Sequence, residues 1–405
     1  MPRRERSTSE PATDVVGEVR SHPVERSEHT PLRPLIVINS LGLGGAEQST
    51  AQLVEGLARR GMDPHVVCLK DFSTAATDRV RAVGVDVRQL GCTRPMAAAR
   101  RIRSIIEEVD ADLVHLVLFD SLLAGTVATR GSKVPVVASV VSTPRSPTGA
   151  AVAARLAGTV ETVALRRADA VHAVTPGVAD AVRRVHGIDP DRIHVAERGR
   201  DPETFARADP AARVRARREL EIEPDAEVVL CVGRHEADKG IDLLIESLGG
   251  LDRPGLVVLL AGREGLETTR LRAGAERSDN PERFRFLGHR DDVPTLLRAA
   301  DVLAVPSLRE GAAGSVIEAM AVGVPIAAFE LEGLAGILGH DRTALLATDR
   351  RAGSLAAAVL ALLDDPERAT RIADAAHAQF LERFTLDAAV EAMAALYRSV
   401  AGTRR

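Results

Sequence analysis

The hydrophobic and polar positions of the chain predict an alternating α/β protein. Short runs of Val, Ile and Leu alternate with stretches in which apolar residues recur at helical spacing. The strands predicted in the first half are Leu35–Asn39, Pro64–Leu69, Val85–Leu90, Leu113–Val117, Val134–Val141 and Ala170–Val174, and the helices are Ala46–Arg60, Met96–Glu108, Ala150–Arg167 and Gly177–His186. Apolar strands separated by helices are typical of a parallel sheet that is covered on both faces.

A second series of the same kind follows the charged stretch 209–225. The predicted strands are Glu227–Val232, Gly255–Ala261, Arg283–Leu287, Asp301–Val305 and Pro325–Ala328, and the helices are Ala211–Leu220, Ile241–Leu248, Gly265–Arg277, Val293–Ala299, Gly314–Ala321 and Arg351–Leu363, with Pro366–Phe380 and Leu386–Val400 closing the chain. The pattern therefore predicts two Rossmann-like lobes, residues 31–205 and 206–380, with a ligand cleft between the carboxyl edges of their sheets. Residues 1–30 are polar without periodicity and predict a disordered tail, and residues 381–405 hold the final helix.

Composition narrows the class of protein. The 405 residues carry a net charge of −4, which excludes a globally basic nucleic-acid binder, so no nucleic-acid partner is expected. The three cysteines are widely spaced, which disfavours a disulfide framework and favours a reducing, cytoplasmic location. No apolar run is long enough for a membrane span, and the N-terminus lacks the apolar region of a secretion signal. Peripheral contact with a membrane stays open.

The first predicted strand leads into Gly42-Leu43-Gly44-Gly45-Ala46-Glu47 and a helix. Adjacent glycines allow a ligand to approach the backbone closely, and the helix N-terminus favours an anion. Glu47 stands where the dinucleotide fingerprint needs a third glycine, and no acidic residue follows at the ribose-binding distance, so NAD is disfavoured. A tight turn without a ligand is the alternative.

Two cations bracket the turn after the first strand of the second lobe, which reads Gly233-Arg234-His235-Glu236-Ala237-Asp238-Lys239-Gly240. Arg234 and Lys239 would give a diphosphate charge-assisted hydrogen bonds at the carboxyl edge of the sheet. Lys239 is one of only three lysines among 53 basic residues, which favours a function for it. A solvated charged loop is the alternative.

A pair of carboxylates marks the next motif. Glu310 follows a predicted buried strand, and Glu318 lies eight residues later on the following helix. The small residues between them, which include Gly311, Ala312, Ala313, Gly314 and Ser315, leave a helix N-terminus with bare N–H groups that suits a phosphate. Carboxylates on either side of such a cradle suit the hydroxyls of a ribose and a sugar. A capped helix with two solvated acids is the alternative.

Together these motifs resemble those of family-4, retaining glycosyltransferases with the GT-B fold, in glycosyltransferase group 1. The segments that carry the resemblance are Gly44–Glu47, Val232–Arg234 with Lys239-Gly240, Glu310–Glu318, Arg283–Gly288 and Ala299–Val302. The resemblance implies an acceptor-binding N-lobe, a C-lobe that binds a nucleotide-diphosphate sugar, and a last helix that packs back on the N-lobe. It implies sugar transfer with retention to a glycan, lipid or small metabolite.

The resemblance also implies a role for each candidate residue. Arg234 and Lys239 would hold the donor diphosphate, Glu318 the ribose and Glu310 the sugar ring, so Glu310, Arg234 and Lys239 are the expected catalytic residues. Further donor contacts would come from Gly233, Gly311, Ala312, Ala313, Gly314, Ser315, Gly44 and Gly45. The resemblance implies neither a cofactor nor a bound metal, and Asp110-Ala111-Asp112 is interpreted as a charged turn.

Three positions depart from the family pattern. Val117 stands where many relatives carry the second histidine of a His-x-His; His115 is expected to be mainly structural, and Asp120 is a candidate substitute on the acceptor side. Arg198 and Arg200 replace neutral residues and are expected to bind a phosphate or carboxylate of the acceptor. Local ion pairs with Glu197, Asp201 or Glu203 are the alternative for these arginines. Leu331–Gly336 replaces the usual Gly-Gly-x-x-Glu.

Other functions stay open beside the transferase. One is a nucleotide-sugar epimerase, or a phosphorylase, of the same two-lobed shape. A non-catalytic nucleotide-sugar-binding protein is another, since Val117 lacks the chemistry of a histidine. The sequence predicts neither the sugar, the base, the acceptor nor the oligomeric state.

Overall fold

A computed structural model of the protein describes residues 31–42, 44–92, 94–144 and 152–402. The tail predicted at residues 1–30 lies outside the described residues. Within them the chain forms two α/β lobes, and each lobe is built around one parallel sheet whose strands are buried between helices.

The N-lobe contains seven of the described strands. They are β1 (Pro34–Ile38), β2 (His65–Cys68), β3 (Val87–Gln89), β4 (Leu113–Val117), β5 (Val136–Val140), β6 (Ala170–Ala173) and β7 (Ile193–Val195), in the sheet order β3-β2-β1-β4-β5-β6-β7. The helices between them are α1 (Gly45–Arg59), α2 (Ala75–Ala82), α3 (Pro95–Glu108), α4 (Phe119–Ala128), α5 (Val152–Arg167) and α6 (Pro176–His186). All registers in this sheet are parallel; Ile36, for example, pairs with Val66 on one side and His115 on the other.

The C-lobe contains six strands within the described residues. They are β8 (Glu227–Val232), β9 (Leu256–Ala261), β10 (Phe284–Gly288), β11 (Val302–Val305), β12 (Ile326–Phe329) and β13 (Leu345–Ala347), in the order β10-β9-β8-β11-β12-β13. The helices are α7 (Pro210–Glu219), α8 (Ile241–Gly249), α9 (Thr268–Glu276), α10 (Val293–Ala299), α11 (Gly314–Val322), α12 (Ala352–Leu363), α13 (Pro366–Arg383) and α14 (Leu386–Gly402). None of the helices in the described residues combines the length and the apolarity needed to span a bilayer.

The strand orders place one topological switch point in each sheet. In the N-lobe, chain order reverses between β1 and β4, and in the C-lobe between β8 and β11. Ligands of open α/β sheets bind where the loops after such strands diverge. The loops after β1 and β8 carry the glycine and cation motifs, and the loop after β11 carries Glu310.

The last helix packs on the N-lobe. Val390, Met393 and Tyr397 of α14 share an apolar cluster with Leu57 of α1. The two helices approach closely at Gly56, where a Cβ would lie 2.4 Å from a methyl carbon of Val390. The chain therefore crosses between the lobes twice, once after β7 and once at residues 384–385.

Two arginines of α7, Arg213 and Arg217, bind a carboxylate of the C-lobe. Arg217 is 5% exposed, and its guanidinium forms an ion pair with Asp301 at 2.8 Å and donates to the carbonyl oxygens of Pro224 and Ala226. Arg213 pairs with the same carboxylate. Burial lowers the pKa of Arg217. These arginines fasten α7 to the start of β11, because the aspartate accepts from both.

Candidate active site

The Lys239–Glu310 ion pair joins the two motifs of the C-lobe. Nζ of Lys239 lies 2.6 Å from Oε1 of Glu310, and the Ser307 hydroxyl donates to the same oxygen at 2.7 Å. Gly240 makes this approach possible: its φ is 59°, and a Cβ there would lie 2.1 Å from the carbonyl oxygen of Pro306. The fold thus brings the loops after β8 and β11 together at the switch point.

Helix α11 begins at Gly314, four residues after Glu310. Ala313 caps this helix with a φ of 34°, which is a strained conformation for a residue with a side chain. Gly311 lies against the N-lobe, where a Cβ would be 2.0 Å from the carbonyl oxygen of Val141. Ser315 follows in the first turn and is a small residue, as the phosphate cradle requires. The loop therefore presents backbone donors at the interface between the lobes.

Arg234 is the second predicted cation of the donor site. It is exposed, and we find no hydrogen bond or ion pair to its guanidinium among the residues that the structure describes. Gly233 precedes Arg234 and lies against the side chain of Lys239. A Cβ built on Gly233 would be 3.7 Å from the nearest carbon of that lysine side chain. A charged guanidinium without an internal partner at this edge is available to a ligand.

The glycine turn of the N-lobe is shaped by Glu47. A Cβ built on Gly44 would lie 1.9 Å from Oε2 of Glu47, so the carboxylate folds back over the turn and a side chain at Gly44 would displace it. Gly45 begins α1 and has Nη1 of Arg198 as its neighbour, 3.9 Å from a built Cβ. The turn predicted to face the diphosphate or acceptor therefore lies beside an arginine.

Arg198 is a half-buried cation between the lobes. Burial and the nearby charge of Arg200 lower its pKa to about 10, while Glu310 and Glu47 act in the opposite direction. It remains protonated at neutral pH. Across the described ranges no hydrogen bond to its guanidinium is found. Arg198 also lines a small apolar cavity, about 50 Å³, between α1 and α14.

Arg200 is bound to the C-lobe instead. It is 4% exposed, and its Nε donates to Oε1 of Glu318 at 2.8 Å. Its backbone pairs with the second crossing of the chain, donating to Phe384 at 2.9 Å and accepting from Leu386 at 2.8 Å. The structure places Arg200 beside Glu318, the carboxylate that was predicted to hold the ribose, and the acceptor-side role of Arg200 stays a prediction.

The local ion pair predicted as the alternative for Arg200 does not form in the described residues, because the guanidinium contacts Glu318 instead. Glu197 binds Arg383 at 2.6 Å, and Asp201 accepts hydrogen bonds within its own turn from Thr204. The reason is the direction of the loop after β7, which points the Arg200 side chain across the lobe boundary rather than along the chain.

His115 belongs to a buried hydrogen-bonded network. Its Nδ1 lies 2.6 Å from the Tyr397 hydroxyl and its Nε2 lies 2.6 Å from the Ser139 hydroxyl, which is also 2.6 Å from Nδ1 of His172. Nε2 of His172 contacts the carbonyl oxygen of Ala196 at 2.8 Å. Because a carbonyl only accepts, the bonds run in one direction, with Nε2 of both histidines donating and Tyr397 donating to His115. Both ring nitrogens of His115 are thus occupied, which supports the structural alternative.

This network should make the fold acid-sensitive. Burial lowers the pKa of His172 to about 4 and that of His115 well below its usual value. The unfolded chain protonates these rings near pH 6.5, so it binds more protons than the folded chain at lower pH, and stability falls as the pH drops from about 6.5 to about 4. For His172 the loss is roughly 3 kcal/mol at the acidic end.

Thermal unfolding midpoints between pH 7 and pH 4.5 measure this loss. We expect His172→Gln to have a lower midpoint at pH 7 and a flatter pH dependence than the wild type. The exposed His289 is the control, since His289→Gln should keep the wild-type slope. Parallel slopes for the wild type and His172→Gln would contradict the prediction.

The end of β4 lacks a histidine at the expected place. Val117 is 3% exposed and its side chain has no polar atom. Leu118, which follows, has φ 74° and ψ 160°, a backbone conformation that strains a leucine. Asp120 in the next turn accepts from Asn39 at 3.1 Å, which ties it to the end of β1. Asp120 therefore places a carboxylate at the switch point of the N-lobe.

The Asp110-Ala111-Asp112 motif lies at the opposite edge of the N-lobe sheet, before β4. Asp110 pairs with Arg33 at 2.9 Å, and Asp112 accepts from the Arg33 backbone at 2.8 Å. The described residues contain no cluster of three or more His, Cys, Asp or Glu side chains that could hold a metal ion.

Two side chains at the site were not predicted from sequence. Ser307 donates to Glu310, and Ser49 on α1 accepts from Nη1 of Arg200 at 3.3 Å. Single serines carry no distinctive spacing. Only the position of Ser307 three residues before Glu310, in a loop that had already been singled out, could have indicated it.

Comparison with known proteins agrees with this arrangement. The family model described as glycosyl transferases group 1 matches residues 213–379, and the model described as Glycosyltransferase Family 4 matches residues 43–204. The Family 4 match lies in the N-lobe, and the group 1 match lies in the C-lobe.

Two curated relatives that match the chain are glycosyltransferases by name. The D-inositol 3-phosphate glycosyltransferase of Corynebacterium glutamicum (strain R) is 34% identical over 218 residues, 52% of this chain and 52% of that protein. The 2-deoxystreptamine glucosyltransferase of Streptomyces kanamyceticus is 30% identical over 309 residues, 73% of this chain and 79% of that protein. The match thus spans about half the length of the first relative and most of the second.

Solved structures share the fold. Anabaena Alr3699/HepE, crystallised in complex with UDP and glucose, has a TM-score of 0.80 at 21% identity and covers 91% of this chain and 100% of its own. Sucrose-phosphate synthase from Thermosynechococcus elongatus has a TM-score of 0.79, also at 21% identity, and covers 92% of this chain and 100% of its own. The predicted GT-B fold is confirmed. Its motifs, its fold and these relatives show that the chain belongs to the group 1 glycosyltransferases of the GT-B fold and is similar to family 4.

Proposed function

We propose that this protein is a retaining glycosyltransferase that moves a sugar from a nucleotide-diphosphate sugar to an acceptor hydroxyl. The observation that carries the proposal is the Lys239–Glu310 pair beside the N-terminus of α11, at the switch point of the C-lobe. A cation, a carboxylate and bare N–H groups at one sheet edge are what a sugar linked to a diphosphate requires.

Charge development explains the roles of these groups. As the glycosidic bond breaks, negative charge grows on the departing diphosphate and positive charge on the sugar ring. Lys239 and the N–H groups of α11 are held in place before the reaction and, together with Arg234, stabilise the first charge. Glu310 faces the second. In the family's front-face scheme the acceptor hydroxyl attacks from the side of the leaving group, and its proton passes to the departing phosphate.

The acceptor would lie against the N-lobe, where the charged groups include Arg198, Asp120 and Glu47. Arg198 is a cation without an internal hydrogen bond in the described part of the chain. It favours an acceptor with a phosphate or a carboxylate. Two relatives are named for D-inositol 3-phosphate and for 2-deoxystreptamine, one an anion and the other a diamine. Of these two, the anionic cyclitol suits Arg198.

A donor panel tests the proposal. UDP-, GDP-, ADP- and dTDP-sugars are mixed with the protein and with a cell extract, D-inositol 3-phosphate or 2-deoxystreptamine, and nucleoside diphosphate release is measured. We expect release from one donor class, which an acceptor stimulates, and an anomeric configuration that NMR of the product shows to be retained. Arg198→Gln should raise the acceptor KM without changing donor affinity.

Other outcomes identify the alternatives. Isomerised donor without an acceptor would indicate an epimerase. Nucleotide binding without release in any acceptor pool would indicate a binding protein. An inverted product would refute the retaining mechanism while keeping the transferase.

A further inference from the structure

Arg200 makes an unusual set of contacts for a residue that follows an edge strand. Its guanidinium contacts Glu318 through Nε and Ser49 through Nη1, at 2.8 Å and 3.3 Å. Nη1 also donates to the carbonyl oxygen of Gly199 at 2.9 Å. The side chain thus spans the boundary from α1 of the N-lobe to α11 of the C-lobe, and it is 4% exposed.

The remaining nitrogen, Nη2, points at the N-terminus of α11. A Cβ built on Gly314, the first residue of this helix, would lie only 2.5 Å from Nη2. No acceptor for Nη2 is found among the described residues. Nη2 is not one of the fully buried side-chain atoms that lack a partner, so a ligand can reach it, and it adjoins the bare N–H groups of a helix start. Donors converge on this point from both lobes, an arrangement that suits an anion.

Two arginines lie close together at this point. Arg200 and the neighbouring Arg198 are both positive, and the pKa of Arg198 is lowered by burial and, to a smaller extent, by Arg200, while Glu310 and Glu47 raise it. Glu318 is the carboxylate that directly contacts Arg200. The α11 N-terminus adds positive potential on the side of Nη2, which favours a negative group beside Gly314.

We infer that Arg200 is a ligand of the donor diphosphate, a third cation beside Arg234 and Lys239. This inference rests on the proposed function. The guanidinium fork has enough donors to hold Glu318 with Nε while Nη2 donates to a phosphate oxygen. Glu318 remains free at its second oxygen to accept from the ribose. The residue comes from the linker after β7, so the donor phosphate would be bound from both sides of the boundary between the lobes.

Binding of nucleosides and of their diphosphates, compared by calorimetry, tests this assignment. UDP, GDP and ADP and the three matching nucleosides are the probes, and the quantity of interest is the ratio of diphosphate to nucleoside affinity. A lost hydrogen bond to a charged group weakens binding about 10–150-fold, so Arg200→Gln should lower this ratio by that factor. Glu318→Gln should weaken both ligands similarly and leave the ratio within about threefold, since ribose is common to both.

Two further variants separate phosphate binding from effects on the fold. The double variant Arg200→Gln/Glu318→Gln removes both charges of the pair, so no buried charge is left without a partner. It should therefore fold even where Arg200→Gln does not. Its ratio should be about 10–150-fold below that of Glu318→Gln. Arg184→Gln removes another ion pair between the lobes, the one with Glu332, and should keep the wild-type ratio.

The outcomes are distinct. Equal ratios for Glu318→Gln and the double variant, or an equal loss in Arg184→Gln, would overturn the role of Arg200 and leave the donor site intact. A wild-type protein that binds none of the diphosphates would refute the donor site and the inference with it. A lower ratio of diphosphate to nucleoside affinity, seen only in the variants that lack Arg200, supports the inference.

Discussion

Lys239→Gln should lower kcat by about 10²–10³-fold with the preferred donor and acceptor, the cost typical of removing one preorganised donor from a developing negative charge. Lys239 lies in the turn after β8, and its ammonium group is 2.6 Å from Glu310. Glutamine keeps a hydrogen-bond donor for Glu310 but no charge for the diphosphate. Because the charge on the leaving group grows as the bond breaks, kcat should fall more than donor KM rises.

Initial rates of nucleoside diphosphate release measure the effect, and the thermal midpoint reports whether the variant is folded. Lys133→Gln is the matched control. Lys133 lies just before β5, at the amino end of the parallel strands, and the cleft lies at their carboxyl end. It should keep the wild-type kcat. A folded Lys239→Gln variant with at least a third of the wild-type kcat would show that Lys239 does not act on the leaving group.

The parts of the fold that depend on local sequence could be predicted. β4, β8 and α10 occupy the residues expected from the hydrophobic pattern. Buried parallel strands carry continuous apolar runs, so their signal does not depend on the partner strand. The order of strands follows from alternation with helices, and with it the switch points where the glycine and cation motifs lie.

Four short or atypical elements were not predicted. α2 has eight residues and begins with a Thr74 cap, and β7 and β13 have three residues each. Elements of this length are stabilised by the strands and helices they pack against, which a local pattern does not contain. α4 includes Gly125, which is unfavourable in a helix, but a Cβ there would lie 2.1 Å from a methyl carbon of Leu116. Close packing of α4 on β4 therefore requires Gly125, and the same glycine weakens the helical pattern in the sequence.

The site itself was predictable only within each lobe. Lys239 and Glu310 follow neighbouring strands of one sheet, so topology brings them together. Arg200 and Glu318 are 118 positions apart and belong to different lobes, and their contact depends on the direction of one loop. Nothing in the sequence indicated that Arg200 would contact Glu318, and the nearest acidic neighbours of Arg200 in sequence suggested a different pair.

The two carboxylates of the α11 motif should fail in different ways. Glu318 is proposed to hold ribose hydroxyls, which change little as the glycosidic bond breaks. Glu318→Gln should therefore raise donor KM more than it lowers kcat, and it should weaken nucleotide binding about 10–150-fold, the value of a hydrogen bond to a charged group at ~1.5–3 kcal/mol. The amide oxygen of the introduced glutamine could still accept from Arg200, which limits the cost to the fold.

Glu310→Gln should lower kcat while the affinity for nucleoside diphosphate stays near that of the wild type. Glu310 is proposed to face the sugar ring, where positive charge develops, and the free nucleotide has no sugar at this position. Its partners Lys239 and Ser307 can still donate to the glutamine oxygen, so the diphosphate cradle should keep its shape.

Calorimetry with the nucleotide alone and turnover with the complete donor separate the two effects. If Glu310→Gln abolishes nucleotide binding, or Glu318→Gln leaves it unchanged, the assigned roles are wrong. If both variants are folded and turn over at the wild-type rate, the reaction occurs elsewhere. The expected pattern, binding lost at one carboxylate and rate lost at the other, requires that a single donor extend along α11 with its ribose beside Glu318 and its sugar beside Glu310.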